Sequence, residues 1–350
     1  MNLRVALPIG LLLLIAACAP PPAPNYQALN PVYCSPPTPV PGDLVVSANA
    51  GIMWGINGHP VQGGPYTAIS PAAQMSAVAK AGFRSYRMDL YEAGAASMNI
   101  LQTYVNAGKA AGVKILPVVI PDPIGYASEQ AAHQVGFNLA NAYVAKFKND
   151  IRVWEWGNEY EGKVGYRDQG STIDLYNQAN YVQARGLVRG MLDGMRAADP
   201  TAKGIVDSSG GCGWGFLDGL WRDGVRWDIT GEHWYSGAGP ITNVPCMVGV
   251  VNKFELLQRK FGVPIWITEF NYNQGSNKTS MGNWLVARLQ EWSELAKQYG
   301  IEAGHIYELY DQPIAGMEGA YGLWNGSGII NAAGTAVSNY LAQHPSVVNR

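Results

Sequence analysis

Charged residues are scarce in this sequence, and several common functional motifs are missing. Charged side chains make up 14% of the 350 residues and the net charge is −2, so the chain lacks the basic stripe typical of a nucleic-acid-binding protein. The four cysteines show no CxxC or Cys/His spacing of a zinc site. No Walker loop, HExxH helix or GxSxG elbow occurs. We therefore expect no nucleic-acid partner, no cofactor and no catalytic metal.

An apolar run at the N-terminus predicts export. Arg4 precedes residues 5–17, which are apolar but too few to span a bilayer as a lasting helix. The small residues directly before Cys18 resemble the bacterial lipobox. We interpret residues 1–18 as a signal peptide with a lipidated Cys18, giving an outer-membrane or cell-surface lipoprotein that meets the membrane only through this anchor. Cleavage as an ordinary secretory signal, leaving a periplasmic or secreted protein, is the alternative.

The rest of the chain divides into a spacer and one folded domain. Residues 19–43 are rich in proline and nearly free of charge, a composition typical of extended linkers. Over residues 44–350, short β-rich runs alternate with longer helical patterns, which predicts parallel βαβ units. The strand candidates are 51–56, 85–90, 114–120, 152–157, 204–207, 227–235, 264–269 and 302–309. The helix candidates include 71–81, 97–111, 129–147, 173–198, 248–261 and 282–299.

About eight strand–helix units indicate an α/β protein, a single catalytic domain with the (β/α)8 TIM-barrel fold. Hydrophobic residues form 47% of the chain, enough for a large core. An exported protein can form disulfides, and Cys212 and Cys246 fall in successive loops of the predicted barrel. These two are therefore the favoured pair, and Cys34 is left without a predicted disulfide partner.

Two glutamates end strands on opposite sides of the predicted barrel. Glu159 follows the fourth strand and Glu269 ends the seventh, and catalytic groups of such barrels lie at these strand ends. A retaining glycosidase needs one carboxylic acid and one carboxylate about 5–5.5 Å apart. We expect burial to raise the pKa of Glu159, the acid/base, while Arg87 and Tyr235 keep Glu269, the nucleophile, ionised. Pairing of Arg87 with Asp89 is the structural alternative.

The pattern Asn158-Glu159 on the fourth strand with Glu269 on the seventh resembles glycoside hydrolase clan A, nearest to its family 39-like or family 5-like members. The resemblance implies that Asn158 binds the sugar 2-hydroxyl and that Arg87, ending strand two, contacts the nucleophile.

A His-x-Tyr sequence on strand six extends the same resemblance. His233 and Tyr235 match it, and the resemblance implies that the Tyr lies beside the nucleophile. A histidine that only holds its loop in the core is the alternative for His233. Strand eight departs from the family 5 pattern, because it offers no clear equivalent of that family's platform tryptophan.

Aromatic residues supply candidates for sugar binding. The chain has 11 Trp and 19 Tyr against 7 Phe, and the apolar faces of sugar rings pack well on aromatic rings. The candidate sugar platforms are Trp54, Trp214, Trp234 and Trp324, each of which could instead belong to the core. His59 is a candidate to bind a sugar hydroxyl, and Tyr310 and Asp311 either line a subsite or brace the barrel rim.

These features together predict a retaining glycoside hydrolase that acts by double displacement. The predicted substrate partner is an oligo- or polysaccharide, with endo-action on a β-linked exopolysaccharide favoured. Two alternatives stay open. The chain could be a non-catalytic glycan-binding lipoprotein on a barrel scaffold, or a transglycosidase in which a sugar hydroxyl replaces water.

Overall fold

The computed structural model describes residues 51–91 and 94–347. The predicted signal peptide with Cys18, the predicted linker and Cys34 lie outside the described residues. None of the helices within the described ranges is long and apolar enough to cross a membrane.

Eight parallel strands close into a barrel, so the predicted (β/α)8 fold is confirmed. The barrel strands are β1 (Met53–Gly58), β2 (Ser85–Leu90), β3 (Lys114–Val119), β4 (Val153–Trp156), β5 (Lys203–Val206), β6 (Ile229–Tyr235), β9 (Ile265–Asn271) and β10 (Ile301–Ile306). Around the barrel each strand pairs with the next along the chain, and β10 closes the circle on β1. Strands β7 (Val244–Cys246) and β8 (Gly249–Val251) form a separate antiparallel hairpin between β6 and β9.

The helices follow the strands as the sequence predicts. They are α1 (Pro65–Ala68), α2 (Pro71–Lys80), α3 (Ala95–Ala111), α4 (Glu129–Phe147), α5 (Tyr160–Val164), α6 (Gln178–Ala198), α7 (Gly215–Arg222), α8 (Lys253–Phe261), α9 (Lys278–Tyr299) and α10 (Ala332–Gln343). In the described residues, short 3₁₀ helices cover Ile173–Leu175, Ser236–Ala238 and Met317–Gly319.

Two predicted helices begin later than the sequence pattern indicates. The segment 173–198 splits into a 3₁₀ turn and α6, because the Asn177 side chain accepts a hydrogen bond from the N–H of Asn180 and caps a new helix there. The segment 248–261 starts with strand β8, and α8 begins only after Asn252, which caps it through the N–H of Glu255. Asparagine at the cap position therefore marks both true starts.

The barrel interior is apolar at its base. Six buried residues from different strands form their own cluster, separate from the larger core between sheet and helices: Met53, Leu116, Ile205, Ile229, Trp266 and Ala303. Three of them, Met53, Ile229 and Trp266, are the first or second residue of their strands. The bottom of the barrel is therefore filled, and polar groups on the inner face gather toward the C-terminal strand ends.

Helices α4 and α6 approach each other closely along a row of glycines. A Cβ atom added to Gly186, Gly190 or Gly194 would lie 2.3, 2.1 or 2.2 Å from a backbone carbonyl oxygen of α4. Real Cβ atoms do not come so near a carbonyl, so a side chain at these positions would separate the helices. Cys212 and Cys246 form the favoured disulfide, which ties the loop after β5 to β7.

Candidate active site

A cleft of about 460 Å³ opens at the C-terminal ends of the barrel strands. Its walls contain most of the polar residues singled out from the sequence: His59, Arg87, Asn158, Glu159, Tyr235 and Glu269. Strands β1, β2, β4, β6 and β9 or the residues directly after them supply these side chains. The barrel therefore brings together groups that are up to about two hundred residues apart in the chain.

The two glutamates face each other across this cleft. One carboxylate oxygen of Glu159 and one of Glu269 lie within 4.8 Å of each other, with a ring nitrogen of His233 in the same group. This separation fits the roughly 5–5.5 Å spacing of a retaining glycosidase and is too short for the roughly 6.5–9.5 Å spacing of an inverting one.

Arg87 donates hydrogen bonds to several side chains at the floor of the cleft. Its Nε donates to Glu155 (2.6 Å), and its Nη1 donates to Asn57 (2.8 Å) and Glu269 (2.7 Å). Its Nη2 donates to Glu155 (3.1 Å) and Asn158 (2.6 Å). Burial alone would lower the pKa of Arg87, but the charges of Glu155 and Glu269 raise it overall, so the guanidinium stays charged. All five of its N–H donors are in use.

Glu269 is surrounded by donors that stabilise a carboxylate. In addition to Arg87, the hydroxyl of Tyr235 donates to its Oε2 at 3.0 Å, and His233 Nδ1 lies 3.5 Å from the same oxygen. Asp89 does not compete for Arg87, because its carboxylate interacts with His59, Gln62 and Tyr91 instead. Both carboxylate oxygens of Glu269 therefore accept a hydrogen bond from the protein.

Glu159 has a different environment, and the expected rise in its pKa is not observed. Burial does raise the pKa of this carboxyl. The hydrogen bond from His233 Nδ1 (2.8 Å) and the charges of His233 and Arg87 outweigh burial, so the pKa is lowered overall. The sequence could not show this, because His233 comes from a strand 74 residues away.

His233 is held between carboxylates on both ring nitrogens. Its Nδ1 faces Glu159, and its Nε2 lies 3.3 Å from Asp207. Burial alone would lower the pKa of His233, but the charge of Glu269 and the contacts with Asp207 and Glu159 raise it well above its usual value. Burial also raises the pKa of Asp207 to about 7, against the lowering effect of His233. The imidazole of His233 therefore lies in contact with the carboxylates of Glu159, Asp207 and Glu269.

The backbone places Glu159 at the cleft in an uncommon conformation. Its φ is 48°, in the left-handed region that residues other than glycine rarely adopt. Its N–H donates to Asp207 Oδ1 at 3.1 Å, and Gly157, two residues earlier, has φ 96°. This turn at the end of β4 directs the carboxyl toward the cleft, where 38% of the side chain remains exposed.

His59 lies in the cleft wall as expected for a sugar contact, but it also joins two acids. Its Nδ1 is 3.3 Å from Asp89 and its Nε2 is 3.4 Å from Glu308. Burial raises the pKa of Glu308 to about 7, although the charge of His59 and hydrogen bonds from Tyr66 and Gln312 oppose this.

The proposed tryptophan platforms require correction. Trp54, Trp234 and Trp324 are each at most 5% exposed and belong to the core between the barrel and its helices. Tyr310 is buried there too, and none of these residues is among the cleft-lining ones. Successive side chains of a strand point to opposite faces: Trp234 stands between His233 and Tyr235 and so faces the helices.

The other rim candidates have structural roles. Trp214 is also buried in the core, with the Lys253 ammonium 5.4 Å from its ring centre. Asp311 accepts a hydrogen bond from Lys278 at 2.6 Å and another from the N–H of Gly322, so it braces the rim. The aromatic residues that do line the cleft are Tyr91, Tyr235, Tyr307 and Tyr321.

Several residues of the site were not predicted from the sequence. Glu155 and Asp207 support Arg87 and His233 from within the barrel, and Tyr307 lines the cleft just after β10. Glu155 is on β4, two residues before Gly157. Side chains of a strand alternate between its two faces. This alternation is the signal that would have placed Glu155 on the inner face of the barrel.

Two overlapping groups of side chains are compact enough to hold a cation: Glu155, Asp207 and His233, and Glu159, His233 and Glu269. Both groups include His233, whose raised pKa favours the protonated form. Arg87 also contacts Glu155 and Glu269 directly. Protein cations thus already balance part of the negative charge of these carboxylates.

The solved structures that this chain resembles include several glycosidases. A family 39 glycoside hydrolase from the gut symbiont Bacteroides cellulosilyticus WH2 aligns with a TM-score of 0.66 at 16% identity, over 85% of this chain and 64% of that one. The chain therefore spans less than two thirds of that protein. A β-glucosidase from Thermotoga maritima aligns with a TM-score of 0.63 at 11% identity, over 85% and 98% of the two chains. A hyperthermophilic β-glucosidase from Pyrococcus furiosus gives 0.63 at 12%, over 85% and 96%.

These similarities concern the fold, because the identities are low. No protein-family model matches the sequence, and no curated protein matches it either. The function must therefore be argued from the site itself.

Proposed function

We propose that this protein is a retaining glycoside hydrolase in which Glu159 is the acid/base and Glu269 is the nucleophile. The close approach of their carboxylates, within 4.8 Å, is the observation that carries the proposal. Their unequal surroundings support the assignment of roles. Arg87 and Tyr235 donate hydrogen bonds to the two oxygens of Glu269, whereas Glu159 is more exposed and forms a hydrogen bond with His233.

The reaction runs in two displacements. An oxygen of Glu269 forms a bond to the anomeric carbon while the bond from that carbon to the leaving oxygen breaks, and Glu159 gives its proton to that oxygen. In the second step Glu159 takes a proton from water. The water oxygen bonds to the anomeric carbon, and the ester to Glu269 breaks. Each step inverts the anomeric carbon, so the product keeps the configuration of the substrate.

Substrate binding can supply the protonated acid. A sugar in the cleft covers the exposed part of the Glu159 side chain, and burial is the contribution that raises the pKa of this group. Tyr235 and Arg87 meanwhile keep both oxygens of the nucleophile oriented. Asn158, fixed by its bond to Arg87, is placed to bind a hydroxyl of the sugar next to the bond that breaks.

The assignment is tested with Glu269→Gln and Glu159→Gln. Both variants should lose at least about a thousandfold in turnover of polysaccharide, because each removes a group that acts in the transition state. For an aryl glycoside with a good leaving group, Glu159→Gln should keep its first step, since little protonation is needed, whereas Glu269→Gln should not. NMR of the first product formed should show retained configuration. Near-normal rates in Glu269→Gln, or an inverted product, would refute the proposal.

The substrate is proposed to be an internal bond of a β-linked polysaccharide, on the strength of a cleft lined by tyrosines and hydrogen-bonding side chains. Product sizes at early reaction times, measured on defined β-glycans, distinguish endo-action from release of single sugars. The N-terminal sequence motivates a further proposal, that the enzyme is exported and anchored through a lipid on Cys18. Cell fractionation of the Cys18→Ala variant checks it, with release from the membrane fraction expected.

A further inference from the structure

The cleft carries more negative charge than the double displacement uses. Besides Glu159 and Glu269, the carboxylates of Asp89 and Glu318 line it. Neither takes part in the two chemical steps. Their presence bears on which sugars the cleft can accept.

The positive groups near the cleft are already engaged by the protein. Arg87 directs all five N–H donors to protein acceptors, and His59 lies between Asp89 and Glu308. Within residues 51–91 and 94–347, no lysine lines the cleft. A sugar with a carboxylate or sulfate would therefore meet repulsion without a cation to bind it.

Asp89 has an unused acceptor. It is 4% exposed, and its Oδ2 accepts hydrogen bonds from Gln62 (3.1 Å) and Tyr91 (3.0 Å). Its Oδ1 is buried and has no hydrogen-bond partner in the described part of the chain. Burial raises the pKa of Asp89, but contacts with His59 lower it overall, so the group stays ionised and can only accept. An unsatisfied buried acceptor costs about 1–3 kcal/mol, which a donor on a ligand would recover.

Glu318 adds a second carboxylate at the rim. It lies in the 3₁₀ helix Met317–Gly319, lines the cleft and is exposed. Burial and the charges of Glu269 and Glu159 raise its pKa, which shows that it faces the same negative field. A positively charged ligand would relieve this repulsion.

We propose that the cleft binds a hexosamine unit with a free, protonated amino group, anchored by Asp89 and attracted by Glu318. This inference rests on the proposed function and names its substrate class. An ammonium group supplies hydrogen-bond donors together with a positive charge, and the carboxylates attract both. A hydroxyl supplies a donor without charge, and an acetamido group is neutral and larger.

Calorimetry on the full chain tests the proposal at pH 6, with Glu269→Gln used so that ligands are not consumed. The probes are β-1,4- and β-1,6-linked tetramers of glucosamine, N-acetylglucosamine and glucose, together with a uronic acid tetramer. At least one glucosamine tetramer should bind about tenfold more tightly than its acetylated and neutral counterparts. The preference should shrink as salt is added, and the uronic acid tetramer should bind most weakly.

Variants identify the groups responsible. Adding Asp89→Asn or Glu318→Gln should each reduce the preference several-fold, whereas Glu294→Gln on the exposed face of α9 should leave it unchanged. Circular dichroism checks the fold of the Asp89 variant, and Glu318 is exposed enough to be replaced safely. Equal binding of neutral and amino tetramers, a preference that survives both substitutions, or no binding at millimolar concentration would overturn the inference.

Turnover by the unmodified enzyme separates this inference from the proposed function. Hydrolysis of neutral and amino substrates at equal rates would refute the proposed preference for an amino sugar and would support the proposed glycosidase activity. A binding preference for the amine without release of reducing ends from any probe would support the proposed ligand and refute the proposed glycosidase activity.

Discussion

At the residue scale, the charge of His233 controls the protonation of Glu159. The imidazole is buried between Asp207 and Glu159, and its hydrogen bond and charge lower the pKa of Glu159, the proposed acid/base. Such an arrangement makes the pH range of activity a property of the pair. A single substitution can therefore move that range.

We expect His233→Asn to shift the basic limb of the kcat profile to higher pH. Loss of the positive charge raises the pKa of Glu159, so the acid stays protonated over a wider range. The profile is measured with an aryl glycoside between pH 4 and 9. His133→Asn is the control, because His133 pairs with Asp193 on the surface. An unmoved or downward-shifted basic limb in His233→Asn would argue against this coupling.

Individual side chains differ in how far the sequence could place them. Glu159, Glu269, Arg87 and Tyr235 follow from their strand ends, because the order of strands in a barrel fixes which ends meet. The position of Trp234 between His233 and Tyr235 would also have placed it in the helix layer, because successive side chains of a strand point to opposite faces. Contacts between distant strands, such as His233 with Asp207, require the register that only the fold supplies.

At the scale of elements, the helix pair α4 and α6 depends on its glycines. Intrinsic propensity disfavours glycine inside a helix, so a sequence reading alone assigns these positions no purpose. The structure explains the glycines, because a side chain at any of these positions would collide with the backbone of α4.

We expect Gly190→Ala to destabilise the protein by about 1–3 kcal/mol, the usual cost of overpacking. The added Cβ would lie 2.1 Å from the carbonyl oxygen of His133, which is backbone and cannot rotate away. Gly162→Ala in α5 is the matched control, because nothing lies within 4 Å of its added Cβ, and it should be neutral or slightly stabilising. Urea unfolding measures both, and similar midpoints for the two variants would contradict the prediction.

Element boundaries show where periodicity fails as a guide. The helix predicted from residue 248 takes in strand β8, since Val248, Val250 and Val251 fit an apolar helix face as well as a strand. The disulfide between Cys212 and Cys246 fixes this region next to the loop after β5. The helix begins only where Asn252 can cap it.

At the scale of the whole molecule, buried acids make stability depend on pH. Burial raises the pKa of both Glu232 and Glu308 to about 7, although Lys253 and His59 respectively act against it. In the unfolded chain a glutamate has a pKa of about 4.3. The folded protein thus holds these protons more tightly. The resulting stabilisation is complete below about pH 4 and is lost as the pH rises through about 7.

We therefore expect the free energy of unfolding to fall between about pH 4 and 7, by up to about 1.4 kcal/mol per pH unit for each such group, and to level off above that range. Urea unfolding across this range measures the slope. Glu308→Gln, which cannot ionise, should give a flatter curve, and the exposed Glu294→Gln should follow the parent protein. Parallel curves for all three proteins would show that Glu308 does not hold its proton in the folded state.

The left-handed backbone at Glu159 has a consequence for the history of this fold. Glycine or asparagine would occupy φ 48° with less strain than glutamate, and the proposed catalytic role of the carboxyl would account for glutamate there. In a descendant released from catalysis, drift would favour those residues at this position before the barrel itself changed. The identity of one residue would then distinguish working enzymes among its relatives from barrels kept only to bind.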